Sequence, residues 1–194
     1  MSPFNAWLIA RGLALLPLRM KAHESGAMAL ATWLEAQESV TKVIYPGLAS
    51  HPQSDIAARQ MTNKSGMISF QVGDAAKGRE IAQRMIDRLE VVHYAVSLGH
   101  HRSLVFWMET EGLMDTSFRL KGDQLASYRD FAGDGVFRMS VGLEDADDLI
   151  ADLGRVRWFR QASGCRGLAL GKGQSHRNLD LRADIASSGC NGSF

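Results

Sequence analysis

Phe137-Arg138-Met139-Ser140-Val141-Gly142-Leu143-Glu144-Asp145 sets a lone arginine in an apolar, strand-like run and then opens a helix. Val136, Phe137, Met139, Val141 and Leu143 supply the apolar positions, while Asp145, Asp147 and Asp148 stand where acidic residues favour a helix N-terminus. Arg138 is the exception in this run. A guanidinium at the end of a buried strand needs a partner, and the best one is a planar carboxylate held by two parallel hydrogen bonds.

Outward from that run, the chain alternates between the two periodicities. Ser2-Pro3 is a good helix start, a side-chain cap followed by a ring already at helical φ. Apolar residues then keep a helical period from Trp7 to Leu34, with Pro17 expected to bend or split the helix. Strand-like runs follow at Val40–Leu48, Met67–Val72, Val91–Val96 and Leu104–Met108. Amphipathic helices are expected at Ala75–Leu89, Asp123–Phe131 and Asp145 to about Phe159. Between the third and fourth strand-like runs, Ser97-Leu98-Gly99-His100-His101-Arg102-Ser103 is a polar, glycine-containing turn, a sensible place for ligand contacts. Strands and helices interleave, so the fold class is α/β or α+β.

A chain of 194 residues with 45% hydrophobic and 22% charged residues can bury one good core. One domain plus a tail is the expectation. The net charge of +1 gives no electrostatic reason to propose nucleic acid or an anionic membrane as partner. The apolar run Ala6–Leu18 is interrupted by Arg11 and too short to span a bilayer, so no membrane anchor is expected. The first 23 residues lack Asp and Glu and carry Arg11, Arg19 and Lys21, which raises a mitochondrial targeting helix. Their poverty in Ser argues against one. Cys165 and Cys190 show no metal spacing, and with no secretory signal a reducing cytoplasm is the simplest location.

The nine-residue run, read with Ser97-Leu98-Gly99, resembles the C-terminal domain of the trans-sulfuration enzymes, the pyridoxal-phosphate-dependent Cys/Met metabolism family. That family includes cystathionine γ-lyase, cystathionine γ-synthase, methionine γ-lyase and the O-acylhomoserine sulfhydrylases. The resemblance extends from residue 2 to about 157. It includes Ser2-Pro3-Phe4-Asn5-Ala6-Trp7-Leu8, similar to the family's helix linking its large and small domains, and Tyr45-Pro46-Gly47-Leu48 with His51-Pro52 and Gln60-Met61.

The resemblance implies the small domain of the fold-type I, aspartate aminotransferase-like fold: a long linking helix over residues 1–37 and a small, mostly antiparallel sheet with helices on one side over 38–160. After Arg160 the shares of Gly, Ser, Arg and Asn rise, apolar residues lose their period and the resemblance ends, so 161–194 is expected to be a disordered tail unlike the family. The resemblance implies that Arg138 grips the substrate α-carboxylate, with Ser97 and the Leu98 amide beside it. It also implies pyridoxal 5'-phosphate as cofactor, with the cofactor-holding residues in a large domain that in relatives precedes Ser2. The expected partners are therefore an amino-acid substrate, that large domain and homologous subunits in a homo-oligomer. Chemistry at the γ or β carbon of a sulfur amino acid or O-acylhomoserine follows, with this chain alone expected to be inactive. A subunit complementing a separate large domain or a full-length paralogue, and a non-enzymatic interaction module, are the alternatives.

Other patterns carry less. His100-His101 could suggest metal, but adjacent histidines in a strand point to opposite faces and no further ligand stands at the right spacing, so no metal is expected. Arg102 stands where most relatives have Glu, and Met114-Asp115-Thr116 replaces their M-T-H, so recognition of the substrate side chain does not transfer. Ser39-Val40-Thr41-Lys42 mimics both the S-x-x-K of penicillin-recognising enzymes and the family's cofactor-lysine motif, yet lacks the partner motifs of the first and the position of the second. Gly171-Lys172-Gly173 lacks the rest of a phosphate loop.

Overall fold

The computed structural model describes residues 1–158. It opens on helix α1, Pro3–Glu35. Ser2 caps it by accepting the N–H of Asn5 at 3.3 Å, and with 33 residues the helix is about 50 Å long. The expected break at Pro17 does not occur, since α1 runs through it as one element. Residues 1–18 are exposed, so the carbonyl that Pro17 leaves without a donor can turn to water. The packing half of the helix comes later, where His23, Gly26, Ala27, Leu30, Ala31 and Leu34 are buried.

Five strands follow: β1 (Lys42–Ile44), β2 (Met67–Gln71), β3 (His93–Tyr94), β4 (Leu104–Glu109) and β5 (Gly135–Ser140). They form one sheet in the order β1-β2-β5-β4-β3, antiparallel except for the β3–β4 pair. The helices between and after them are α2 (Ser54–Gln60), α3 (Ala75–Arg88), α4 (Thr110–Met114), α5 (Asp123–Ala132) and α6 (Ala146–Gly154). The arginine strand β5 lies at the centre.

Register divides the sheet into two faces. Ile68, Met139 and Val105 are paired across β2, β5 and β4, as are Phe70, Phe137 and Trp107. All six are buried, on the face that packs against α1, α3 and α6. Phe137 stacks on Phe70 at 5.1 Å and meets Trp107 at 4.8 Å. A Cβ on Gly78 would lie 2.1–2.5 Å from the Trp107 ring, so α3 reaches β4 only because that position is glycine. The other face carries Ser69, Arg138 and Phe106 side by side.

Three expected elements are shorter than their patterns, and each has a local cause. The Val40–Leu48 run is strand only at Lys42–Ile44, because Tyr45 turns into the core, fully buried, and Leu48 N–H donates to its carbonyl at 3.1 Å. The Tyr45 hydroxyl donates to Ser65 O at 3.0 Å, and burial, aided by the Glu24 carboxylate, pushes its pKa up to about 12. In the Val91–Val96 run the ladder holds only at His93–Tyr94, because the N–H groups of Glu90, Val91 and Val92 donate to the buried Asp152 carboxylate at 2.9–3.3 Å. The last helix stops at Gly154 rather than Phe159. Arg157 there has φ +55, which a right-handed helix cannot include. Helices α2 and α4, of 7 and 5 residues, are too short to show a period.

No helix of the described residues is long and apolar enough to cross a membrane. The expected tail at 161–194, with Cys165, Cys190 and Gly171-Lys172-Gly173, lies outside the described residues.

Candidate functional site

Arg138 stands half-exposed on the open face, midway along β5, with Ser69 of β2 and Phe106 of β4 as its cross-strand neighbours. Its Nη2 donates to the carbonyl of Val96, the residue before Ser97. Two positions along the same face, the Ser140 hydroxyl accepts the N–H of Gly99 at 2.9 Å. Ser97 and Leu98 are therefore held between two hydrogen bonds to one strand, although Ser97 and Arg138 lie 41 residues apart. Both are exposed, and Gly99 adopts φ +71, which permits the sharp turn. Among the described residues no carbonyl claims the Ser97 or Leu98 N–H.

One guanidinium carries five N–H donors, so the bond to Val96 leaves most of the fork available. Those donors, with the Ser97 hydroxyl and the Ser97 and Leu98 amides of the turn tied to the same strand, are groups of the kind that bind an anion of carboxylate size rather than a cation. The wall beside them is aromatic. Phe106 beside Arg138 packs on Tyr94 at 5.4 Å, and burial raises the Tyr94 pKa above that of an ordinary tyrosine.

Several sequence candidates fall elsewhere. His100 and His101 are in a loop, not a strand, so their rings are not on opposite faces but in contact at 4.0 Å. No group of three or more His, Cys, Asp or Glu able to hold a metal occurs among the described residues. Arg102 turns to His93, with Nη1 3.2 Å from Nε2, in a shallow cleft shared with Glu90 and Leu143. Lys42 sits at the β1 edge, its amine 5.7 Å from the Phe131 ring centre and donating to that residue's carbonyl at 3.4 Å.

Sequence reasoning missed Ser140, Gly142 and Glu144 as parts of this site. A signal was present: Arg138, Ser140, Gly142 and Glu144 recur at every second position, opposite Phe137, Met139 and Val141. Beyond the strand the backbone continues this contact, with Leu143 N–H donating to His101 O at 2.8 Å.

Three kinds of comparison place the chain among known proteins. Residues 1–156 match the family model described as Cys/Met metabolism PLP-dependent enzyme. The chain is 41% identical over 155 residues to O-succinylhomoserine sulfhydrylase of Pseudomonas aeruginosa, covering 80% of this chain and 36% of that protein. Over 154 residues it is 40% identical to human cystathionine γ-lyase, covering 78% of this chain and 35% of the relative. The crystal structure of cystathionine γ-lyase from Lactobacillus plantarum complexed with L-serine superposes with a TM-score of 0.62 at 31% identity, over 80% of this chain and 38% of that one. A Campylobacter jejuni structure that contains N'-pyridoxyl-lysine-5'-monophosphate gives 0.64 at 30% identity, over 80% and 35%. The chain thus spans little more than a third of the relatives it matches.

Proposed function

The chain belongs to the Cys/Met metabolism PLP-dependent enzyme family, and on that premise we propose that it carries the substrate-carboxylate grip of a trans-sulfuration lyase or γ-synthase. In this reading Arg138 holds the α-carboxylate of a sulfur amino acid or O-acylhomoserine, assisted by Ser97 and the Leu98 amide. The observation that carries it is the double tie of the 96–99 turn to the arginine strand, through Arg138 to Val96 O and Gly99 N–H to Ser140. Those ties keep the turn that carries Ser97 and Leu98 beside the arginine strand, which is what the reading requires.

In the same reading the residues that hold the cofactor lie in a large domain outside these 194 residues. A lysine must reach the cofactor covalently, and the amines with visible contacts are directed elsewhere: Lys64 to the carbonyls of Met61 and Ala57 at 2.6 and 3.3 Å, Lys42 to Phe131, Lys77 beside Asp74 at 4.0 Å. The proposal is that the activity depends on a large domain, supplied by the same or another polypeptide, that brings the lysine and the phosphate-binding donors. Residues 1–37 link to that domain and 38–160 form the small domain. Mixed with pyridoxal phosphate, the 194-residue chain is expected to give no visible-absorbing adduct that survives dialysis. A stoichiometric yellow adduct, mapped after borohydride reduction to Lys21, Lys42, Lys64, Lys77, Lys121 or Lys172, would overturn this division of labour. Recovery of γ-elimination or γ-replacement only on mixing with a relative's large domain is the positive result.

A homo-oligomer is part of the same proposal. Phe4, Trp7, Leu8, Ile9, Leu13, Leu15, Leu16 and Leu18 are 42–67% exposed on the first half of α1, an apolar surface well beyond scattered surface residues. We expect association at micromolar concentration by light scattering, and a stable monomer there would count against α1 as a packing element.

A further inference from the structure

We infer that Glu144 is a positioning residue for the 96–103 loop, fixing its return limb so that the Ser97-Leu98-Gly99 turn stays aimed at Arg138. The inference deepens the carboxylate-site reading and rests on it for the turn's role, though not for the turn's geometry.

The two ties already described hold the beginning and middle of the loop. Its end is held at Ser103, which is fully buried immediately before β4. The Ser103 N–H donates to Glu144 Oε1 at 2.8 Å, and its hydroxyl donates to Glu144 Oε2 at 2.9 Å. The same hydroxyl accepts Gly142 N–H at 2.8 Å, and the Ser103 carbonyl accepts His93 N–H at 2.9 Å. Every polar group of Ser103 is thus engaged, and Glu144 takes both of its protons.

Gly142 makes this contact possible. A Cβ there would lie 2.3 Å from Glu144 Oε2 and 2.4 Å from His101 O, so the two segments approach as closely as backbone permits. His23, buried on α1, sets the opposite side, its Nδ1 2.7 Å from Val141 O and 3.0 Å from Gly142 O. With carbonyls as the only partners, that nitrogen carries the proton and donates. The end of the arginine strand is thereby fixed from the core by His23, while Glu144 fixes the loop to it.

Glutamine keeps one of the two acceptors and removes the charge, leaving the Ser103 hydroxyl proton without its carboxylate oxygen. Its amide oxygen can still accept Ser103 N–H, and its NH2 can donate to the second lone pair of the Ser103 hydroxyl. Alanine can do neither. The test is residue-resolved amide hydrogen exchange on the 194-residue chain, with an L-alanine titration read at the Leu98 and Gly99 amides by NMR. Glu144→Ala should speed exchange of Gly99, Arg102 and Ser103 by about tenfold or more while Ile68 and Met139 keep their protection. It should also weaken the L-alanine response, and Glu144→Gln, which keeps the acceptor for Ser103 N–H, should fall between parent and alanine in both. If Glu144→Ala unfolds the chain, Ser103→Ala should loosen the same amides locally with the sheet intact. Unchanged loop exchange in Glu144→Ala, or Glu144→Gln loosening the loop as much as alanine, overturns the inference. No L-alanine response in the parent chain would instead remove the carboxylate reading, with the exchange rates still deciding the role of Glu144.

Discussion

Replacing Asp152 by alanine is expected to lower the unfolding free energy of the chain by about 3 to 5 kcal/mol. Its carboxylate is 1% exposed and accepts the N–H groups of Glu90, Val91 and Val92 as the chain leaves α3. Deleting it leaves donors without an acceptor at a point where Val92 is itself buried, and water reaches only the outer one well. Because a folded domain is stable by only about 5 to 15 kcal/mol, the loss is a large fraction of the total. An asparagine side chain at this position would keep an acceptor oxygen but turn its own amide protons toward the remaining donors, so Asp152→Asn should fall between parent and alanine. Urea unfolding checks the order: alanine well below asparagine, asparagine below parent. A cost under about 1 kcal/mol for alanine would mean that the 90–92 segment finds other acceptors.

The second large effect is functional. Fused behind the large domain of a relative, the chain with Arg138→Ala should lose well over tenfold in kcat/KM, since breaking a charge-assisted pair in a partly closed site costs about 2 to 5 kcal/mol. Arg138→Lys should fare little better. It keeps the charge but gives up the planar fork that donates to the Val96 carbonyl and that, in the proposed role, would meet both carboxylate oxygens. The urea midpoint should hardly move, because Arg138 stands half-exposed on the face away from Phe137 and Met139. Loss of activity together with loss of fold would assign Arg138 to structure instead.

Much of this architecture was legible because it rests on local pattern. Phe137, Met139 and Val141 alternate with polar residues, and the core face of the sheet follows from that alternation alone. The family resemblance, carried by runs such as Ser2–Leu8 and Tyr45–Leu48, agrees with the match over residues 1–156. What escaped was set by contacts distant in sequence. Asp152 lies 60 residues from Val92, and nothing in Val91–Val96 announces that its first amides are taken by a carboxylate on another helix. Ser140 and Glu144 read as part of a motif, yet their partners Gly99 and Ser103 are each 41 residues away. Pro17 misled for a different reason: its cost to a helix is real, but an exposed helix can meet it with solvent.

The carboxylate grip can be read apart from turnover. In the fused enzyme, the inhibition constant of a substrate-like α-amino acid is compared with that of the amine lacking its carboxylate, in the parent and in Arg138→Ala. The account predicts that the parent favours the amino acid by about tenfold or more and that the variant nearly abolishes the preference, with the amine's affinity little changed. A variant that still distinguishes the two compounds as the parent does would contradict the assignment of Arg138 and the 96–99 turn to the α-carboxylate.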